Sequence, residues 1–166
     1  MVTGEHWDIS TEVGFMACYR AAVGDVYRYA AALCGADRQA AEDLVQDVFL
    51  NALAAARRGE LRTIRVGYLR TAVRHRWIDR WRAEDRERRR VARVVALPAA
   101  EAPAGGLPEL LLADLPDRER TALVLRFVDD LPVAKVGSEL GISARAAESL
   151  LARATRRLRR MEVDHA

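Results

Sequence analysis

Apolar residues recur at intervals of three and four along most of this chain, the spacing that keeps them on one side of a helix. Phe15, Cys18, Tyr19, Ala22, Val26, Tyr29, Ala30 and Leu33 step along one face, which predicts a helix from about Glu12 to Leu33. Gly35 stops it, and Asp37 suits the cap of a second helix reaching about Arg58. In that second helix Ala41, Val45, Val48, Phe49 and Ala52 point inward. Residues Gly59–Val66 read as a loop. A third helix follows from about Gly67 to Arg90, with Leu69, Val73, Trp77 and Trp81 as its buried side. No alternating strand pattern is found, so the fold expected is all-α.

The pattern breaks between Val94 and Leu112, where LPAAEAPAGGLPELLL is rich in Ala, Pro and Gly and holds no period. Such a stretch predicts a flexible linker. The expected organisation is therefore two small helical domains, 1–93 and 113–166, joined by a linker at 94–112. In the second domain Pro116, Asp117 and Glu119 mark a helix start, and Thr121, Val124, Leu125, Val128 and Leu131 supply a packing face. Two further helical patterns meet at Gly141-Ile142-Ser143, with Pro132 in the first turn of the earlier one and Ser143 capping the later one. Ala147, Leu150, Leu151, Ala154 and Leu158 share one face of the last helix, and Arg145, Ser149, Arg153, Arg156 and Arg160 lie opposite. This is the layout of a helix-turn-helix whose second helix can enter a DNA major groove.

Charge sharpens the picture because it is segregated. The whole chain of 166 residues carries only +3. Residues Met1–Ala56 hold three Arg against eight acids, a balance of −5. Residues Arg62–Arg93 hold twelve Arg against four acids, +8, and Leu140–Arg160 six Arg against Glu148, +5. Two basic blocks suggest two contacts with a polyanion, and the acidic block suggests a protein partner. Within the acidic block Asp43, Gln46, Asp47 and Leu50 fall on the face opposite the core stripe, where a leucine beside carboxylates makes a protein-binding patch.

Other chemistry is sparse. With no apolar run of membrane-spanning length and no signal segment, a cytoplasmic protein without membrane contact is expected. Cys18 and Cys34, sixteen residues apart on a helix, would sit roughly 24 Å from one another, beyond disulfide reach. Neither has a Cys or His neighbour at metal-ligand spacing, so both read as buried small hydrophobes. Asp43 and Asp47 lack a third ligand for a divalent ion. No catalytic residue, metal site, cofactor or small-molecule substrate is expected.

Three segments in order, AEDLVQDVFLNAL (41–53), YLRTAVRHRWIDRWR (68–82) and LPDRERTALVLRFVDDLPVAKVGSELGISARAAESLLARATRRLR (115–159), resemble the bacterial extracytoplasmic-function sigma factors. The likeness extends over about four-fifths of the chain, with a linker where the family also has one. It implies a non-enzymatic subunit that binds core RNA polymerase, confers recognition of −10 and −35 promoter elements and promotes DNA opening. Asp43, Gln46, Asp47 and Leu50 match the family's contact with the clamp region of the polymerase beta-prime subunit. The loop Gly59–Val66 matches a pocket for a flipped base, here carrying Arg62, Thr63 and Arg65 and no aromatic residue. Arg74, His75, Arg76, Arg80 and Arg82, with Arg70 beside them, would follow the −10 strand. Lys135, Arg145, Glu148, Ser149, Arg153 and Arg156 would serve the −35 element.

Three positions depart from the family pattern. His75 stands where Asn is common, Glu148 where a basic residue is usual, and Leu150 where Arg is usual. Leu150 is expected to widen the core stripe. Glu148 can accept a hydrogen bond from cytosine N4 or pair with Arg145 or Arg153. Family members are often held by an anti-sigma protein, so promoter DNA, core polymerase and an anti-sigma factor are the partner classes implied. The competing reading is a dimeric helix-turn-helix regulator that binds a palindromic site without polymerase.

Overall fold

The computed structural model describes residues 6–92 and 112–164. The expected linker at 94–112 lies outside them except for its last residue. The described elements run β1 (Trp7–Asp8), α1 (Glu12–Cys34), α2 (Arg38–Arg57), β2 (Thr63–Ile64), α3 (Val66–Ala92), α4 (Asp117–Leu123), α5 (Val133–Leu140) and α6 (Ala144–Asp164). Helices dominate, as the periodicity predicts. The exception is a two-residue antiparallel ladder, Trp7 opposite Ile64 and Asp8 opposite Thr63, inside what the sequence reads as plain loop. Two residues are too few to show an alternating pattern.

By packing, the chain falls into two compact units, Met1–Ala31 with Arg38–Trp77, and Ala32–Asp37 with Ile78–Ala166. In the first unit, α1 starts at a cap in which the Thr11 hydroxyl accepts the Gly14 N–H at 3.1 Å. Cys18, Ala22, Val26, Tyr29 and Ala30 bury the expected stripe of α1. Ala41, Leu44, Val45, Val48, Phe49 and Ala52 bury that of α2, and Leu69, Val73 and Trp77 that of α3. The Phe49 ring joins α2 to α1, standing edge-on to Tyr19 at 4.9 Å and to Phe15 at 6.4 Å between centroids. Tyr19 keeps its outer edge in solvent rather than being fully interior as expected, because it lies at the rim of the stripe. Burial raises the Cys18 thiol to about 11 and, in the second unit, the Cys34 thiol to about 12, so both stay protonated and unreactive at neutral pH.

In the second unit α4, α5 and α6 form the helix-turn-helix and its support. Val124, Leu125, Val136, Leu140, Ala147, Leu150, Leu151 and Ala154 make its core. Leu150 joins that stripe as expected. Val128 does not, being 50% exposed beside Phe127. It lies in a π-helical turn over Val124–Val128, in which the Asp129 N–H reaches back five residues to the Val124 carbonyl at 3.1 Å. Val128 is the last residue of this wider turn, and the helix ends after it at Asp129. Pro132 is the N-cap of α5 rather than a first-turn residue, and Gly141 ends that helix in the left-handed conformation at φ 66°. Ser143 caps α6 as expected, its Oγ accepting the Ala146 N–H at 3.2 Å.

Arg120 is nearly fully buried in this unit, yet its charge is answered. It donates to the carbonyls of Leu33 at 2.8 Å and Leu115 at 2.9 Å and to the Asp117 carboxylate at 2.5 Å. A guanidinium so enclosed is tolerable only because its fork of donors is satisfied.

Candidate nucleic-acid and polymerase interfaces

The outer face of α2 is built as the heptad spacing requires. Asp43, Gln46, Asp47 and Leu50 are exposed while their neighbours at 44, 45, 48 and 49 are buried. Leu50 leaves 55% of its surface in water beside these polar groups. Gln39 Nε2 donates to the Asp43 carboxylate at 2.9 Å, and Asp47 pairs with Arg76 of α3 at 3.1 Å. The acidic patch therefore ends where the basic helix begins.

The loop between α2 and α3 carries Arg62, Thr63 and Arg65, all exposed. Pairing with β1 turns Thr63 outward and buries Ile64. Arg62 Nε stands 3.3 Å from the Asp8 carboxylate, which also accepts the Ser10 hydroxyl and amide. The Ser10 hydroxyl and then the Ser10 N–H, ahead of Arg62, hold the Asp8 carboxyl below its ordinary value.

On α3 the basic residues do different jobs. His75 and Arg80 are exposed, the latter paired with Glu84 at 3.0 Å. Arg74 and Arg76 are half-buried. Arg70 turns to α1, forking onto Asp25 at 2.8 and 3.0 Å and lying 5.6 Å over the Tyr29 ring, so it holds the helices together. Arg82, grouped by sequence with the −10 contacts, belongs to the second unit. There it donates to the Ser138 carbonyl at 3.2 Å and also to that of Glu139, in the last turn of α5. A cation on the open carbonyls of a helix end is favourably placed. Trp77 and Trp81 are buried, as core residues rather than stacking platforms.

The exposed face of α6 presents Arg145, Glu148, Ser149, Arg153 and Arg156. The Ser149 hydroxyl bonds back to the Arg145 carbonyl at 3.0 Å, and Lys135 of α5 pairs with Glu139 at 3.3 Å. To this face, on which the sequence already places Arg160, the structure adds Arg157 and Glu119. Arg153, Arg156, Arg157 and Arg160 line one open groove with Glu119 of α4, whose carboxylate meets Arg157 at 3.2 Å. Arg157 and Arg160 recur at the same spacing as Arg153 and Arg156, a signal present in the sequence. The position of Glu119 beside them is a matter of packing alone. Among the described residues no cluster of His, Cys, Asp or Glu could hold a metal ion, and no helix is long and apolar enough to cross a membrane.

Residues 18–87 match the family model for sigma-70 region 2, and residues 111–160 match that for sigma-70 region 4. The chain belongs to the sigma-70 family. Residues 88–110 separate the two matched regions. Among curated proteins it is similar to the RNA polymerase sigma factor SigF of Mycobacterium tuberculosis, in strains CDC 1551 and H37Rv. Identity is 47% over 49 residues, 30% of this chain. The match spans only 19% of the length of those relatives. Among solved structures it resembles the sigma factor RpoE in complex with the anti-sigma factor NepR from Bartonella quintana. The TM-score is 0.52 at 24% identity, with 90% of this chain and 98% of that one covered, a likeness of fold.

Proposed function

We propose that this protein is a sigma factor of the extracytoplasmic-function type. It binds core RNA polymerase, directs it to promoters by their −10 and −35 elements and helps open the duplex. Asp43, Gln46, Asp47 and Leu50 dock on the clamp region of the beta-prime subunit. Arg62, Thr63 and Arg65 meet bases of the −10 element, while Arg74, His75, Arg76 and Arg80 follow its backbone. Arg82 joins them only by leaving the α5 carbonyls. Lys135, Arg145, Glu148, Ser149, Arg153 and Arg156 meet the −35 element. In this reading it is a non-enzymatic initiation subunit; RNA synthesis belongs to the polymerase, in the cytoplasm. An anti-sigma protein that covers these faces would hold it inactive.

One observation carries the reading: a sigma-70 region 2 and a region 4 match in one chain, each presents outward cations, and region 2 also presents a separate acidic face on α2. Phosphate contacts supply affinity and salt dependence, and groups aimed at base edges supply choice. Reconstitution with core polymerase tests it. Addition of the protein should produce transcripts with defined 5′ ends from a subset of genomic promoters. A protein that binds a palindromic duplex as a dimer and leaves core polymerase unselective would be a regulator of the helix-turn-helix type instead.

A further inference from the structure

Arg62, Thr63 and Arg65 are the proposed DNA contacts that lie outside the helices, although the Arg65 carbonyl caps the start of α3 by accepting the Tyr68 N–H at 3.1 Å. Their orientation depends on a segment more than fifty residues away in sequence. Trp7 and Asp8 pair with Ile64 and Thr63, and the Ile9 N–H donates to the Arg62 carbonyl at 2.8 Å. Ile9 and Ile64 are each 2% exposed. The Asp8 carboxylate holds Ser10 through one oxygen and Arg62 through the other. Beneath this strand lies Gly14, where a Cβ would stand 1.8 Å from the Asp8 carbonyl oxygen. Only glycine lets the strand rest on the first turn of α1.

A two-residue ladder does not hold itself, and one exposed ion pair adds little. Burial of the two isoleucines supplies most of the hold, and Asp8 aims the guanidinium. Register matters because strand side chains alternate: a slip of one residue would turn Thr63 inward and expel Ile64.

We propose that Trp7–Ser10 form a latch that positions Arg62, Thr63 and Arg65, making the N-terminal segment a determinant of −10 base preference. The residues of the latch are positioning residues that need not touch DNA. This inference rests on the −10 role proposed above for the loop.

The test uses holoenzyme reconstituted with core polymerase on a promoter library randomised across the −10 element. Gly14→Ala, which displaces the strand without touching the loop, should flatten base preference about tenfold, the scale of a lost directed contact. Asp8→Ala should flatten it about threefold, the scale of one exposed ion pair, and Asp8→Glu should restore it. Core binding and −35 preference should not move in any of these variants. Amide hydrogen exchange at Ile9 reports whether the strand has lifted, and Asp8→Ala decides the matter if Gly14→Ala does not fold. The control is Arg62→Ala with Thr63→Ala and Arg65→Ala. If the control flattens the preference and the latch variants leave it intact, the latch is overturned while the reading of the loop stands. If the control itself leaves the preference intact, the loop does not read the base and the latch proposal goes with it.

Discussion

The proposed contacts of α2 and α6 are faces of single helices, whereas those at Arg62, Thr63 and Arg65 sit on a loop held from elsewhere. The outer faces of α2 and α6 follow from the periodicity that makes those helices: once the apolar stripe is buried, Asp43, Gln46, Asp47 and Leu50, or Arg145, Ser149, Arg153 and Arg156, must point away from it. The loop with Arg62, Thr63 and Arg65 has no such rule. Its side chains face outward because β1 pairs with β2 and Ile9 and Ile64 are buried together. A helix face is robust to change elsewhere, whereas a paired loop inherits every weakness of its partner strand.

The comparison can be broken most sharply at α2. Replacing Asp43, Gln46 and Asp47 together with alanine should lower affinity for core polymerase at least about a hundredfold, the scale of a lost interface hot spot, with the melting curve unchanged. Retained binding in a pull-down against core enzyme would place the interface elsewhere. Next in size, Arg145→Ala or Arg153→Ala should weaken −35 binding by about 1–3 kcal/mol and relax choice at one base pair if the side chain reads a guanine. Equal weakening on every sequence, with a shallower salt dependence, would mark it as a phosphate contact instead. Ser143→Ala removes the cap on the Ala146 N–H and should cost about 1 kcal/mol in denaturant unfolding, spread over α6 and leaving the loop untouched.

The smallest effect concerns pH and separates loop from helix. Hydrogen bonds from Ser10, with Arg62 behind them, favour the ionised Asp8 carboxyl in the folded chain. Its contribution is therefore fully present above the ordinary value of 3.8 and is lost as pH falls through the depressed one. Amide exchange at Ile9 should speed up only below pH 3.8, while the amides of α6 show no step tied to this group. Loosening of the strand at or above that pH would show that Asp8 does not hold Arg62.

Side-chain chemistry decided more of the α3 surface than charge did. Five arginines along one stretch (70, 74, 76, 80 and 82) read alike in the sequence, yet Arg70 braces Asp25 and Arg76 meets Asp47. Arg82 caps carbonyls of α5. Each finds an acceptor on another helix, and no spacing rule within α3 could name it. Val128 shows the opposite limit: the stripe it belongs to is regular in sequence, but the helix closes there in a π-helical turn and leaves it exposed. Arg120 carries no signal in the sequence pattern, and packing makes it an interior clasp on four acceptors.

From the sequence by itself came the helices, the break at Gly141–Ser143, the buried Trp77, Trp81 and Leu150, and the outward residues of α2 and α6. These depend on interactions within one or two turns, so local order encodes them. Tertiary structure alone decided the β1–β2 ladder, the clearance over Gly14, the partners of the arginines and the place of Glu119 among them. Those features join residues far apart in the chain, where the energy of a contact depends on geometry that no local pattern carries.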